Sequence, residues 1–453
     1  MSILFSIFYF LFFFLAWRRL NWAVLFVIAT LPSYLIRFNL GPVPMTLLEG
    51  MVLVVFVIWL IRKFKIGSFQ KFSILHSPFS ISIILFLLAA TISIFVSPDI
   101  RAALGIWRAY FVEPILFFIV LRDLLHKRAI ETGQIVFVLS ISALVLSFFA
   151  IYQKFTGFWI PNPWIEEAVR RVTSVFEYPN ALGLFLGPLI PLFAGRLIGA
   201  ILEIRAKRDD RHVLRRIFYL GYWILVIATS LLAIWWARST GALVGVTIAL
   251  MFMVIVEFVI ARSGSDLPAG RQAKQSRTLM GLLRSPPTGG SLAMTVIFFI
   301  VISVFIFKIP SVKNELLLRD WSGHVRRTQW TETVKMLKDR PILGAGLSGY
   351  PTVIAPYHKA DYLEIFQYPH NIIFNFWSET GLLGLVAFIL LIINFFRLGI
   401  KKLLTTNYSL FTIPTMASMV VILVHGLVDV PYFKNDLAVL FWIIYVSGFE
   451  PYS

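Results

Sequence analysis

The tetrapeptide Tyr368-Pro369-His370-Asn371 ends a polar stretch, roughly residues 310–370, that cannot lie in a bilayer although apolar runs flank it on both sides. Of the seven histidines, His324, His358 and His370 belong to this stretch. His425 sits in a later apolar run, and His76, His126 and His212 lie in basic segments between runs. An imidazole with an ordinary pKa of about 6.5 can accept the proton of an attacking hydroxyl near neutral pH. His370 is the best placed, because it opens the apolar run 371–394, and a helix starting there would turn its positive end toward an anion. General base or acceptor-positioning donor is the expected role; a lone histidine capping an interfacial helix is the alternative. Arginines accompany it, with Arg326 and Arg327 in the polar stretch and Arg170, Arg171 and Arg238 at the ends of other runs. A planar guanidinium meets a phosphate through two parallel hydrogen bonds, which a lysine ammonium does not offer. Interface snorkelling or a structural ion pair is the alternative for each. The chain has no cysteine, so thiol chemistry and disulfides are excluded. No DxD motif or dense carboxylate cluster falls in the outward segments, so a reaction without metal or other cofactor is expected.

The elements that position these groups must be membrane helices. Hydrophobic residues make up 58% of the chain and charged residues 14%, with a mean hydropathy of +0.83, far from any soluble domain. Apolar runs at 3–16, 22–36, 43–61, 79–96, 105–121, 133–152, 180–198, 217–235, 240–260, 291–308, 371–394, 411–428 and 436–449 predict an all-α, polytopic transmembrane bundle of about 12–13 spans. A membrane barrel is excluded, because short alternating runs are missing. Residues 1–17 read as a span and not as a signal peptide, since they begin apolar, with no basic flank or small-residue cleavage site. One integral membrane domain over 1–453 is expected. The segments 17–21, 62–78, 122–132, 196–216, 262–290 and 397–409 hold most of the 41 Lys and Arg, which marks them as cytoplasmic and turns the 309–370 loop outward. The net charge of +18 is therefore a topology signal, and nucleic acid is not an expected partner.

Within this frame the segments differ in character. Residues 262–290 have little apolar content and read as a disordered cytoplasmic loop. Around Val325, the spacing of Trp330, Val334 and Leu337 predicts an amphipathic helix on the membrane surface, with Arg326, Arg327, Lys335 and Lys338 around the apolar stripe. The run 341–349 contains Gly344, Gly346 and Gly349; a tight turn and a row of free N–H groups that hold a phosphate are both open readings. Glu379 would stand about 13 Å deeper along a helix than His370, so it should pair with an arginine or polar group inside the bundle. Gly381 and Gly384 read as close helix packing. His425 and Asp429, four apart, form a second His–carboxylate pair with a structural role expected. Glu49, Arg108 and Glu113 fall inside apparent spans and should face the interior and pair.

Several segments together resemble the O-antigen ligase/polymerase superfamily: Arg326-Arg327-Thr328-Gln329-Trp330, the stretch 339–347, Tyr368-Pro369-His370-Asn371 and the stretch 377–385. Further pieces follow the same order: 171–180 with Arg171 and Asn180, Ala237-Arg238-Ser239-Thr240-Gly241-Ala242, and His425-Gly426-Leu427-Val428-Asp429. The segment at Arg238 departs from the more usual Ser-Arg-Gly order. The resemblance covers about residues 100–450. It implies a bacterial cytoplasmic-membrane glycosyltransferase that takes a glycan from a polyprenyl diphosphate carrier and passes it to an acceptor hydroxyl on the outer side, without nucleotide. Lipid A core, as in lipopolysaccharide, another repeat unit or a protein would be the acceptor, so a repeat-unit polymerase or a protein O-oligosaccharyltransferase is the alternative within the class. Arg171, Arg238, Arg326 and Arg327 would stabilise the leaving diphosphate and His370 would act as base, with Asn180, Asn371, Glu379, His425 and Asp429 in support. A transporter of lipid-linked sugars is the alternative from another class; no internal repeat favours it.

Overall fold

A computed structural model of the protein describes residues 3–65, 80–167, 170–206, 213–263, 317–360, 362–404 and 410–448. The fold is all-α and polytopic, as expected. Among the described residues, six helices are long and apolar enough to cross a membrane: Ile100–His126, Thr132–Thr156, Pro179–Ile201, Arg216–Trp236, Thr240–Ile260 and Ile372–Leu404. The runs expected at 3–16, 79–96, 411–428 and 436–449 form shorter apolar helices. The run 291–308, and 262–290 from residue 264 onward, lie outside the described residues.

The chain divides into two compact units. The first comprises Met1–Ser142, Leu318–Phe396 and His425–Val446. It opens with α1 (Ile3–Arg18) and α2 (Leu20–Ala29). The expected run 22–36 stops at Ala29, because Pro32 lacks an N–H and restrains the residue before it, and a 3-10 turn over Leu31–Leu35 takes over. A hairpin of β1 (Arg37–Leu40) and β2 (Val43–Thr46) follows, Arg37 opposite Thr46, turning at Gly41 with φ 61°. The run expected to be helical from residue 43 thus begins as a strand carrying Pro44, and α3 (Leu47–Lys65) starts four residues later.

Next come α4 (Ser80–Val96) and α5 (Ile100–Ile106), the latter capped by the Asp99 carboxylate accepting from the Ala102 N–H at 3.0 Å. A π-helical turn over Trp107–Val112 leads into α6 (Glu113–His126). Glu49, Arg108 and Glu113 pair as expected, with Arg108 3.3 Å from each carboxylate. The unit's aromatic core joins Phe86, Phe111, Phe376, Tyr432 and Trp442. Inside lipid such packing acts through dispersion and ring geometry, because burial from water no longer distinguishes protein neighbours from acyl chains.

The second unit comprises Ala143–Leu317, Arg397–Val424 and Ser447–Ser453. It takes in most of α7 (Thr132–Thr156), then α8 (Pro179–Leu186), α9 (Leu189–Ala206), α10 (Val213–Trp236) and α11 (Thr240–Ser263). Small residues let its helices approach closely: a Cβ on Gly183 would strike Ser239, and one on Gly245 would lie 3.2 Å from Val421.

Candidate functional site

The helix α12 (Trp321–Asp339) and the short α13 (Tyr350–Ile354) precede the long α14 (Ile372–Leu404), which α15 (Thr412–His425) and α16 (Asn435–Ser447) follow. The buried face of α12 is not the apolar stripe read from the sequence. Val334 is exposed, whereas Arg326, Gln329 and Glu332 are only 8%, 6% and 6% exposed. They tolerate burial because each has a partner. Arg326 donates from Nε to the Val428 carbonyl at 2.9 Å and from Nη1 to Ser322 Oγ at 2.8 Å. Glu332 faces His358 Nδ1 at 3.0 Å and accepts the Lys359 N–H at 3.0 Å. The apolar members of this face, Met336 and Leu337, join Ala345, Tyr350 and Ile354 in a small core. Burial there pushes the Tyr350 phenol up to about 12.

Gln329 holds the histidine. Its Oε1, an acceptor, lies 3.2 Å from His370 Nδ1, which puts the neutral ring's hydrogen on Nδ1 and leaves the Nε2 lone pair for a proton. Next to it on α12, Trp330 donates from Nε1 to the Pro369 carbonyl at 2.9 Å. His370 has φ 46°, in the left-handed region that few non-glycine residues occupy. The ring is partly buried, with Phe366 edge-on at 5.2 Å. Burial draws the His370 pKa below its ordinary value; Asp429 pulls it up, Arg326 pushes it down, and a hydrogen bond to the Tyr368 backbone pulls it up.

Asn371 is the cap of α14. Its Oδ1 accepts from the Ile373 and Phe374 N–H groups at 3.0 and 3.1 Å, while its Nδ2 donates to the Leu427 carbonyl at 2.9 Å. The Ile372 N–H donates to the Gly426 carbonyl at 2.7 Å. The helix start expected to offer N–H groups to a diphosphate is therefore already saturated by the protein itself. Three consecutive carbonyls, of Gly426, Leu427 and Val428, receive Ile372, Asn371 and Arg326. The segment from His425 to Asp429 thus contributes its backbone as much as its side chains. His425 and Asp429 are both buried, and Asp429 Oδ1 accepts from the Val430 N–H at 2.9 Å.

The glycine run forms a turn, and most of its N–H groups from Gly344 to Gly349 have partners in the protein. Gly344 donates to Arg340, Ala345 to Ser378 and Gly349 to Gly346, while the Ser348 N–H meets Glu379 Oε2 at 2.6 Å. Of the two readings of this run the bonds favour the tight turn, and the partner of Glu379 is a polar group, a backbone amide of the turn, and not an arginine. Gly381, at φ 67°, breaks α14, because a Cβ there would lie 2.5 Å from the Ile342 carbonyl. The Leu382 N–H donates to that same carbonyl at 2.9 Å. Gly384 packs near Ala89, the close approach read from the sequence.

In the second unit Gln153 shapes the segment carrying Arg171. Its Oε1 accepts from the Thr173 and Ser174 N–H groups at 3.0 and 2.7 Å. Arg171 stacks 4.8 Å over Trp164, donates from Nε to the Ala237 carbonyl at 2.9 Å, and reaches Asn180 Oδ1 with Nη2 at 3.0 Å. Arg238 follows directly, exposed and with φ 51°. The four arginines thus divide into two kinds: Arg171 and Arg326 are bonded to backbone carbonyls, whereas the guanidinium groups of Arg238 and Arg327 stand exposed with no hydrogen bond among the described residues. Gln329 and the Glu332–His358 pair escaped the sequence reading. Their partners lie 41 and 26 residues away, and the only local hint is their i, i+3 spacing with Arg326.

Fold and site together define a multi-pass helical membrane protein whose first unit sets the His370 imidazole beside Gln329, within the field of Arg326 and Asp429. Residues 219–389 match the family model described as O-Antigen ligase, and this supports placing the chain in the O-antigen ligase-like superfamily. The matched stretch contains Arg238, Arg326, Arg327, His370, Asn371 and Glu379. A comparison with curated proteins finds no match. The match covers 171 of the 453 residues.

Proposed function

We propose that the protein transfers a glycan from a polyprenyl diphosphate carrier to an acceptor hydroxyl at the outer face of the bacterial cytoplasmic membrane. The acceptor oxygen attacks the anomeric carbon, the bond from that carbon to the diphosphate oxygen breaks, and the hydroxyl proton passes to His370 Nε2. The released diphosphate carries the negative charge. Arg327, its guanidinium exposed and without a hydrogen bond among the described residues, meets it, since a fixed cation in a partly dry site stabilises developing charge without reorganisation. Arg326 fixes the backbone beside it. The reaction draws on the donor's own diphosphate linkage and uses no nucleotide or metal.

The observation that carries this reading is the Gln329–His370 contact, which commits Nδ1 and leaves Nε2 as the basic atom of a partly exposed, strained histidine. The test is transfer in nanodiscs containing chelator and no ATP, with polyprenyl-diphosphate glycan and lipid A core, repeat-unit and protein acceptors offered in parallel. His370→Ala should lose about 100-fold or more in kcat while still binding donor, and Arg327→Ala should raise the donor KM. Normal transfer by His370→Ala would remove the base. A folded wild type that glycosylates nothing but moves the lipid-linked donor across the bilayer would favour a transporter.

A further inference from the structure

Beyond the base itself, the first unit carries a buried charge cluster that the reaction above does not use. Glu49 and Glu113, 4% and 2% exposed, both face Arg108, and Glu49 Oε1 also accepts from Asn435 Nδ2 at 2.9 Å. Ionised groups in a membrane interior are costly, and they cluster where a function needs them. Arg108 and Glu113 are five residues apart. At 3.6 residues per turn, side chains five apart point about 140° away from each other. The π-turn over Trp107–Val112, in which the Glu113 N–H donates to the Arg108 carbonyl, brings them to one side. Arg108 is further anchored by Nη2 to the Pro44 carbonyl at 2.7 Å.

The same turn carries Tyr110. Its side chain interacts with that of Tyr368, the first residue of the tetrapeptide that contains His370. Its backbone carbonyl accepts from the Tyr432 hydroxyl at 2.8 Å. Tyr110 and Tyr368 also share the Phe433 ring, at 6.3 and 5.9 Å. Tyr368 in turn offers its backbone to the His370 ring. A line of contacts therefore runs from the intramembrane charges through the π-turn to the imidazole.

We infer that Tyr110 is a positioning residue for His370, kept in register by Arg108 between Glu49 and Glu113. The inference rests on the reading of His370 as base. A hydroxyl two contacts removed from the reacting proton changes how often the imidazole is aligned, and does not change substrate affinity. Its loss therefore belongs in kcat.

The experiment compares Tyr110→Phe, Arg108→Met, Arg108→Lys and His370→Ala in the nanodisc transfer assay, with a thermal midpoint recorded for each. Tyr110→Phe should lose about tenfold in kcat with both KM values within about twofold. Arg108→Met should show the same split, and Arg108→Lys, which keeps a cation between the carboxylates, should recover part of the rate. If His370→Ala is inactive while Tyr110→Phe keeps its kcat, or raises only KM, the positioning role is wrong and the base stands. If His370→Ala transfers normally, the base reading fails and this one with it.

Discussion

Replacing Gln329 by Glu changes one atom type beside the imidazole and keeps its shape. The amide oxygen stands 3.2 Å from His370 Nδ1. A unit charge at that distance interacts with an imidazolium by about 1.3 kcal/mol with water-like screening and by about 5 kcal/mol at an effective dielectric constant of 20. At 1.36 kcal/mol per pKa unit, this spans about one to four units. His370 is partly exposed, so the lower part of the range applies, a rise of about 1.5 units. The wild-type imidazole starts below its ordinary value, because burial disfavours its charged form, and is mostly neutral at pH 7. The substitution raises the pKa, so the base stays protonated to a higher pH. kcat/KM should fall on the acid side of the profile and recover at high pH, with the acid limb displaced upward by about 1.5 units. The measurement is kcat/KM for transfer between pH 5.5 and 9.5 in nanodiscs. An acid limb that stays in place, or moves downward, would refute both the Gln329–His370 contact and the assignment of the base.

Other perturbations separate framework from chemistry. Arg326→Met removes charge-assisted hydrogen bonds to Val428 and Ser322, and should cost about 2–3 kcal/mol in stability; Arg327→Ala should leave the thermal midpoint unchanged and raise only the donor KM. Equal midpoints for the two would contradict this division. Gly381→Ala combines a positive φ with a Cβ 2.5 Å from the Ile342 carbonyl, and should destabilise by more than about 1 kcal/mol, read as loss of folded protein on heating in detergent. Glu379→Gln keeps an acceptor for the Ser348 N–H and should be tolerated, whereas Glu379→Ala strands that amide and should cost about 1–3 kcal/mol; equal midpoints here would show that the amide finds another partner.

The residues themselves explain which features could be read early. Apolar runs are a property of composition, so the helical membrane class was plain. Glu49, Arg108 and Glu113 announced their pairing, because lone charges do not persist in lipid. The inverted face of α12 was hidden because the reading assumed that apolar atoms are the buried ones. Here Arg326, Gln329 and Glu332 are buried through partners up to 102 residues away. The saturation of the α14 start and the partners of the glycine turn were equally out of reach. N–H groups that look free in sequence were taken by Gly426 and by the Glu379 carboxylate.

The break at Gly381 has a consequence for how the protein can be watched. The Leu382 amide lies within a helix of 33 residues, yet its hydrogen bond goes to Ile342 in the glycine turn. Its isotope exchange therefore reports undocking of that turn and not fraying of the helix. A single backbone position inside the membrane-length element becomes a clock for the opening of the turn that Glu379 also holds. Substrate binding that steadies this segment would slow the clock at Leu382 more than at amides bonded within the helix.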